Sequence, residues 1–271
     1  MESKDTKFSN CLPLTAIVLF FNKFEVRKTT MIVKSKAILL HSLRYTDNSS
    51  ILHFYTREYG KVSMIVKGIS SKKKTTRNIY FQPLYIFDIE FYRRETREMQ
   101  TLKDLTLVYT PSDIPVNIFK STISLFLSEV LYSVIREEEV NHALFDFLES
   151  VIITLDSTTE NPGNFHLWFL VRFSSFAGII PSPSSSQTAW FDLQNGVFVA
   201  QKPFHDFFME PGLAAKFNSF LITDVSGLNN IILSAEERSS LLNLLVQYYS
   251  LHFPGMRKIR SLEILNEVFR K

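Results

Sequence analysis

The hydrophobic period of this chain changes once, near Pro111, and that change limits the fold more than any other feature. Before it, apolar residues recur in short strand-like runs. The first covers 32–43, with Lys34 and Lys36 set between apolar positions, and Asp47-Asn48-Ser49 follows as a turn. The next runs are 51–55, 62–66, 84–92 and 101–109, separated by turn signals at 58–61, Gly68 and Pro83. Short strands at this spacing predict a small barrel, and a five-stranded OB-type Greek key fits. Phe87 and Phe91 fall on its interior.

After Pro111 the spacing is helical. Phe119, Ile123, Phe126, Leu127, Val130 and Val134 mark one face of a first helix. A second covers 140–155, broken by Asn161-Pro162-Gly163, and a third, strongly apolar, covers 165–177 and ends at Gly178. Ser234 with Glu237 forms a capping box for a helix that Pro254-Gly255 stops. Ser261 is placed to cap a last helix. Between helices, 181–186 is a polar loop, followed by a hairpin turning at Asn195-Gly196. The fold class is therefore α+β: an OB-fold barrel over 31–110, then an all-α domain over 111–271 with a ribbon-like insertion at about 181–202. Residues 1–30 read as an extension, disordered or upstream of a natural start at Met31. Their apolar stretch lacks the small-x-small site of a signal peptide.

Charge divides at the same place. Residues 31–103 hold 14 Lys and Arg against 6 Asp and Glu, while 104–271 hold 11 against 18. A basic barrel predicts a polyanionic partner. The cations of the loop after the third strand, Lys67, Lys72, Lys73, Lys74 and Arg77, are the first candidates for DNA contact, because that loop borders an OB binding face. Arg44, Arg57, Arg93 and Arg94 are the second. Taken singly, each is an ordinary solvated side chain; the excess on one small barrel is what points to a polyanion. Tyr45, Tyr55, Tyr59, Tyr80, Phe81 and Tyr92 lie among these charges as possible base-stacking residues.

Reaction chemistry is not visible. There is no phosphate-binding Gly-rich loop, no His-Glu-x-x-His pair and no Gly-x-Ser-x-Gly elbow. The single Cys cannot make a disulfide framework or a thiolate metal cluster. His166, on the most apolar helix, reads as a satisfied core residue. His205-Asp206 has no third group to make it catalytic. The chain reads as a non-enzyme, without cofactor, membrane span or metal.

Two stretches carry a family resemblance. One runs from Ala37-Ile38-Leu39-Leu40-His41 through Phe54-Tyr55-Thr56-Arg57-Glu58-Tyr59-Gly60-Lys61 to Val66-Lys67-Gly68. The other is Tyr248-Tyr249-Ser250-Leu251-His252-Phe253-Pro254-Gly255 with Arg260-Ser261-Leu262-Glu263-Ile264-Leu265. With Phe176-Ala177-Gly178-Ile179-Ile180-Pro181 between them, they resemble the RecO family of bacterial recombinational repair proteins. The resemblance implies an OB domain followed by a helical domain. It also implies a mediator of DNA repair and recombination that binds single- and double-stranded DNA and anneals complementary strands. It implies engagement of the C-terminal tail of the single-strand-binding protein SSB. With RecR, and with RecF in many species, such proteins help load RecA, in a cytoplasmic setting on nucleoid DNA. A tail-binding site needs an apolar pocket with a cation at its rim, and the helical half offers Arg172, Arg257, Lys258 and Arg260. Many relatives bind zinc in the ribbon through four Cys. Here the region offers Ser182, Ser184, Ser185, Ser186 and Gln187, which are poor zinc ligands, so no metal is expected. Alternative readings are an OB-type RNA-binding protein and a protein–protein adaptor.

Overall fold

The computed structural model describes residues 30–47, 49–67, 81–136, 139–159, 161–186 and 189–270. The expectation for residues 1–30 lies almost wholly outside them. Five strands close into a barrel of order β1-β2-β3-β5-β4. They are β1 (Met31–Thr46), β2 (Ser49–Thr56), β3 (Gly60–Lys67), β4 (Ile86–Arg93) and β5 (Met99–Tyr109). Closure depends on the length of β1, which pairs with β4 from Met31 to Ile38 and with β2 from Ala37 to Thr46. Register shifts between Leu39 and His41, and between Arg44 and Thr46, bend the strand between its two neighbours. The last seam is short and parallel, joining Ser63, Met64 and Ile65 to Met99, Gln100 and Thr101. Buried Gln100 secures that end: its amide accepts from Arg94 N–H at 2.8 Å and donates to the Arg97 carbonyl at 2.5 Å.

Alternation sends Leu39, Phe54, Met64, Phe87 and Phe91 into the barrel, where each is 0% exposed. The opposite side of the same strands is also apolar. Ile38, Leu40, Tyr55, Leu84 and Ile86 belong to the core of the helical part. Tyr55 is therefore a core residue and not a stacking platform. Its ring stacks on Phe145 at 6.2 Å, and its hydroxyl donates to the Asn141 carbonyl at 3.3 Å.

The helices are α1 (Ile118–Val134), α2 (His142–Ser157), α3 (Phe165–Phe176), α4 (Pro211–Ile222), α5 (Ala235–His252) and α6 (Ser261–Val268). Asn117 and Asn141 cap α1 and α2, and the Ser234–Glu237 capping box opens α5 as expected. α3 is buried on nearly every side, as its all-round apolarity requires. His166 is in that core; its Nδ1 and the Trp168 Nε1 have no partner among the described atoms.

Three local expectations are corrected. Arg260, not Ser261, occupies the cap position of α6; Ser261 begins the helix, and its N–H and hydroxyl donate to Glu129 at 2.9 and 2.7 Å. The hairpin turns over four residues between β6 (Trp190–Asp192) and β7 (Val197–Val199), because the Asp192 carboxylate accepts from the N–H groups of Gln194 and Asn195. A third strand, β8 (Phe208–Met209), then joins β6 on its other side. Gly196 in the turn has φ +68°, and a Cβ there would lie 2.8 Å from the Tyr248 hydroxyl, so any larger residue would be strained and would have to displace that ring.

A buried polar knot holds the barrel's exit to the helices. The Asp156 carboxylate, at the end of α2, accepts the backbone N–H groups of Ser112, Asp113 and Ile114, each at 2.9 Å, and the Tyr109 hydroxyl at 2.8 Å. Lys120, 1% exposed, donates to the carbonyls of Asp156 and Thr158 at 2.8 and 2.6 Å and pairs with Asp113 at 2.5 Å. Burial acts to raise the Asp156 pKa, but the donated backbone and Tyr109 hydrogen bonds outweigh it and hold the carboxyl below its usual range. Removing this acceptor leaves three backbone N–H groups and the Tyr109 hydroxyl unmatched. Asp156→Ala is expected to cost about 3–5 kcal/mol and Asp156→Asn less, measured by chemical denaturation followed by circular dichroism.

Candidate nucleic-acid interface

The cations of the barrel fall into groups with different roles. One group binds the helical part. Lys36 pairs with Glu149 of α2 at 2.8 Å, and Arg57 pairs with Asp146 of α2 at 3.2 Å. Lys61 donates to the carbonyls of Tyr132 and Ile135 at 2.5 and 2.8 Å, capping the C-terminus of α1 with positive charge. Arg57, a candidate for DNA contact, thus has a carboxylate partner on α2, with both side chains exposed to solvent.

A second group lies on the outer face of β4 and β5 and is matched by carboxylates. Glu90 sits between Lys34 at 2.5 Å and Lys103 at 2.9 Å, which hold its carboxyl below the usual range, and it stands opposite Asp104 in register. With exposed Asp88, these acids line a cleft of about 360 Å³. This face is no place for a polyanion.

The remaining cations rim the outer face of β1, β2 and β3. Exposed Arg44 and Tyr45 lie near the end of β1, beside exposed Leu43; Arg44 carries Asp47 at 2.6 Å, both exposed to solvent. Lys67 ends β3 opposite Ser49. Lys72, Lys73, Lys74, Arg77 and Tyr80 lie outside the described residues. At the opposite end, Arg93 rests over the Tyr59 ring at 4.8 Å, and Arg94 Nε donates to Thr30 at 2.8 Å.

The same face carries a cluster the sequence reading missed. His41 and His53 are directly opposed in register, their rings stacked at 5.9 Å and covered by Tyr132 of α1 at 5.0 and 4.9 Å. His53 Nδ1 shares a hydrogen bond with Ser63 at 2.8 Å. Arg257, from the loop before α6, lies 5.6 Å over the Tyr132 ring, and Lys61 lies 4.4 Å from it. The only signal for the pair was its placement on two adjacent strands. Burial, then the charges of His41, Lys61 and Arg257, push His53 down to about 4; burial lowers His41 as well, with Glu129 opposing and Arg257 reinforcing the shift.

The four cations proposed for a tail pocket are scattered. Arg172 caps the C-terminus of α4, donating to the Thr223 carbonyl at 2.7 Å with Asp224 at 3.4 Å. Lys258 pairs with Glu263 at 2.9 Å, Arg260 stands at the N-cap position of α6 without a side-chain capping bond, and Arg257 faces the histidine pair. A different cation, Arg136, stands at a cleft of about 260 Å³ floored by Val134, Leu144, Phe173, Phe176 and Phe253. Its guanidinium donates to the Pro254 carbonyl at 2.7 Å.

The ribbon does not fit a zinc ion. Its central group is the Asp192 carboxylate, which accepts the Asn195 side-chain amide at 2.7 Å and meets His205 at 3.3 Å; the opposite face is closed by Phe191 against Phe217 and Tyr248. No cluster of three His, Cys, Asp or Glu side chains exists among the described residues, and the ribbon's serines supply only neutral hydroxyls. Among those residues no helix is long and apolar enough to cross a membrane.

Residues 31–111 match the family model described as Recombination protein O N terminal, and residues 115–263 match Recombination protein O C terminal. Curated proteins named DNA repair protein RecO are similar over their full length. That of Phocaeicola vulgatus is 35% identical over 240 residues, and that of Bacteroides fragilis 34% over 241, each aligned to 88% of this chain. That of Flavobacterium psychrophilum is 34% identical over 241 residues.

Two outcomes follow from the site's chemistry. His53 and fully buried His166, the latter pushed down to about 3 first by burial and then by Arg238, have folded pKa values below their unfolded ones. Stability is therefore fully present above pH ~6.5 and declines as pH falls toward 4 and below, by roughly 1–2 kcal/mol for half-exposed His53 after discounting for solvent. Thermal melts from pH 7.5 to 4.5 should show this decline, flattened in His53→Gln. Strong zinc chelators should shift the melting temperature by less than about 1 °C, because the ribbon's neutral serine hydroxyls are poor zinc ligands.

Proposed function

The chain belongs to the RecO family, and from that premise we propose that it mediates DNA repair and recombination by binding DNA along the outer face of β1, β2 and β3. The observation that carries this placement is the sorting of cations. Lys36, Arg57, Lys61, Lys34 and Lys103 have partners on α2, at the end of α1 or among the acids of β4 and β5. Arg44 is exposed near the end of β1 with exposed Asp47 beside it, and the sequence that continues β3 carries Lys67, Lys72, Lys73, Lys74 and Arg77, a run of cations suited to an external polyanion.

Annealing follows from such a surface. Phosphate contacts release condensed counterions and lower the repulsion between two strands, while bases left uncovered find their complements. No nucleotide hydrolysis or bond chemistry is required of the protein. Arg93 over Tyr59, Arg94 and the Arg257 end of the face would extend the backbone path. The SSB tail, acidic and apolar, suits the cleft beside Arg136, where Phe173, Phe176 and Phe253 supply the floor. Partnership with RecR, and with RecF where present, toward RecA loading in a cytoplasmic, nucleoid setting completes the reading.

The decisive experiment is annealing of complementary oligonucleotides pre-coated with cognate SSB. Acceleration without ATP or added zinc is expected. Failure to accelerate, with bare DNA also unbound, would overturn the reading and favour an RNA-binding or adaptor role. Replacing Lys72, Lys73, Lys74 and Arg77 by Ala should weaken DNA binding and reduce the slope of log affinity against log salt by about 0.7–0.9 per lost contact. Arg136→Glu should abolish binding of an SSB tail peptide while sparing DNA binding, as read by fluorescence anisotropy.

A further inference from the structure

The small sheet of the helical part has an outer face unlike that of an ordinary surface sheet. Its inner side is apolar by necessity: Phe191 and Met209 pair in register and are both 0% exposed. Alternation puts Trp190 and Phe208 on the other side, where solvent-facing strands normally carry polar residues. Their rings meet edge to face at 5.2 Å, and each keeps part of its surface exposed. Lys202 lies 4.9 Å from the Phe208 ring centre and 5.8 Å from that of Trp190. Phe204, on the loop between β7 and β8, is fully exposed. The loop is not slack, because His205 is tied to Asp192 at 3.3 Å and the Leu193 N–H donates to the Phe207 carbonyl at 3.0 Å.

We infer that this face is a second DNA-contact surface, a stacking platform on which Phe204, Trp190 and Phe208 receive unpaired bases, with Lys202 as its cation. An antiparallel sheet packed on helices and displaying aromatic rings outward is the physical arrangement that sheet-based single-strand binders use. The neighbouring charges favour bases over backbone: Asp206 and Glu210 are exposed on the same loop and strand end, so a phosphate-tracking groove is disfavoured, while the Phe204 ring is open to solvent and Lys202 lies over the partly exposed Trp190–Phe208 pair. The platform therefore discriminates single strands from duplex, in which bases are already stacked, and its contribution is weakly salt-dependent. The inference rests on the DNA-binding reading above and adds a second contact, remote in sequence from the barrel.

The chain has two tryptophans, and only Trp190 can report on this face, since Trp168 is 8% exposed within the core. Oligothymidylate added to the intact protein at high salt should quench the emission of Trp190, identified by its loss in Trp190→Phe. Phe204→Ala, which removes no packed contact, should lower single-strand affinity at least fivefold and leave duplex affinity and the circular dichroism spectrum unchanged. Silent Trp190 emission with single-strand affinity equal in wild type and Phe204→Ala overturns the platform while leaving the barrel reading standing. A Trp190 response to the SSB tail peptide but not to oligothymidylate also overturns it, assigning the face to protein. Absence of any DNA binding by the wild-type protein removes both readings together.

Discussion

The hydrogen bonds converging on Asp156 are the constraint from which the rest of the arrangement follows. One carboxylate at the end of α2 receives the three N–H groups of the strand-to-helix crossover, and Lys120 returns the charge to the carbonyls of the same helix end. The crossover is therefore fixed in direction as the chain leaves β5. That direction lays α1 and α2 against one end of β1 and β2, so that Ile38, Leu40 and Tyr55 are covered while Leu43, Arg44 and Tyr45 are not. The open part of the barrel face is a by-product of where the knot sends the helices.

A repeated device accompanies this. Long cationic side chains terminate helices: Lys61 on α1, Lys120 on α2 and Arg172 on α4 each donate to carbonyls that the helix itself leaves unpaired. All three come from a different element than the helix they cap and hence join elements as well as satisfy them. Nothing in local composition marks such a role, since a Lys that caps and a Lys that contacts phosphate read alike.

That explains which parts of the molecule were legible in its sequence. The strands from Met31 to Tyr109, the α3 core helix and the Ser234–Glu237 box are written in periodicity and capping chemistry, which act over a few residues. The destinations of Arg57 and Arg172 are set by Asp146 and Asp224, tens of residues away, so their commitment could not be read locally. α4 escaped because Pro211-Gly212 reads as a breaker although proline suits the first helical position. β8, two residues long, is defined only by pairing with β6. The His41–His53 pair needed the bulge after Leu39 to bring both rings to one face, and bulges leave little trace in a single sequence.

The double burial of β1 bears on how this chain can be divided. Ala37 and Leu39 serve the barrel, whereas Ile38 and Leu40 serve the helices, so four consecutive residues are shared between two interiors. A fragment ending at the crossover would expose Ile38, Leu40, Tyr55, Leu84 and Ile86 as one apolar patch, an invitation to self-association. The strand acts as a common wall, and the two compartments it separates unfold together because neither can lose it and keep a closed interior.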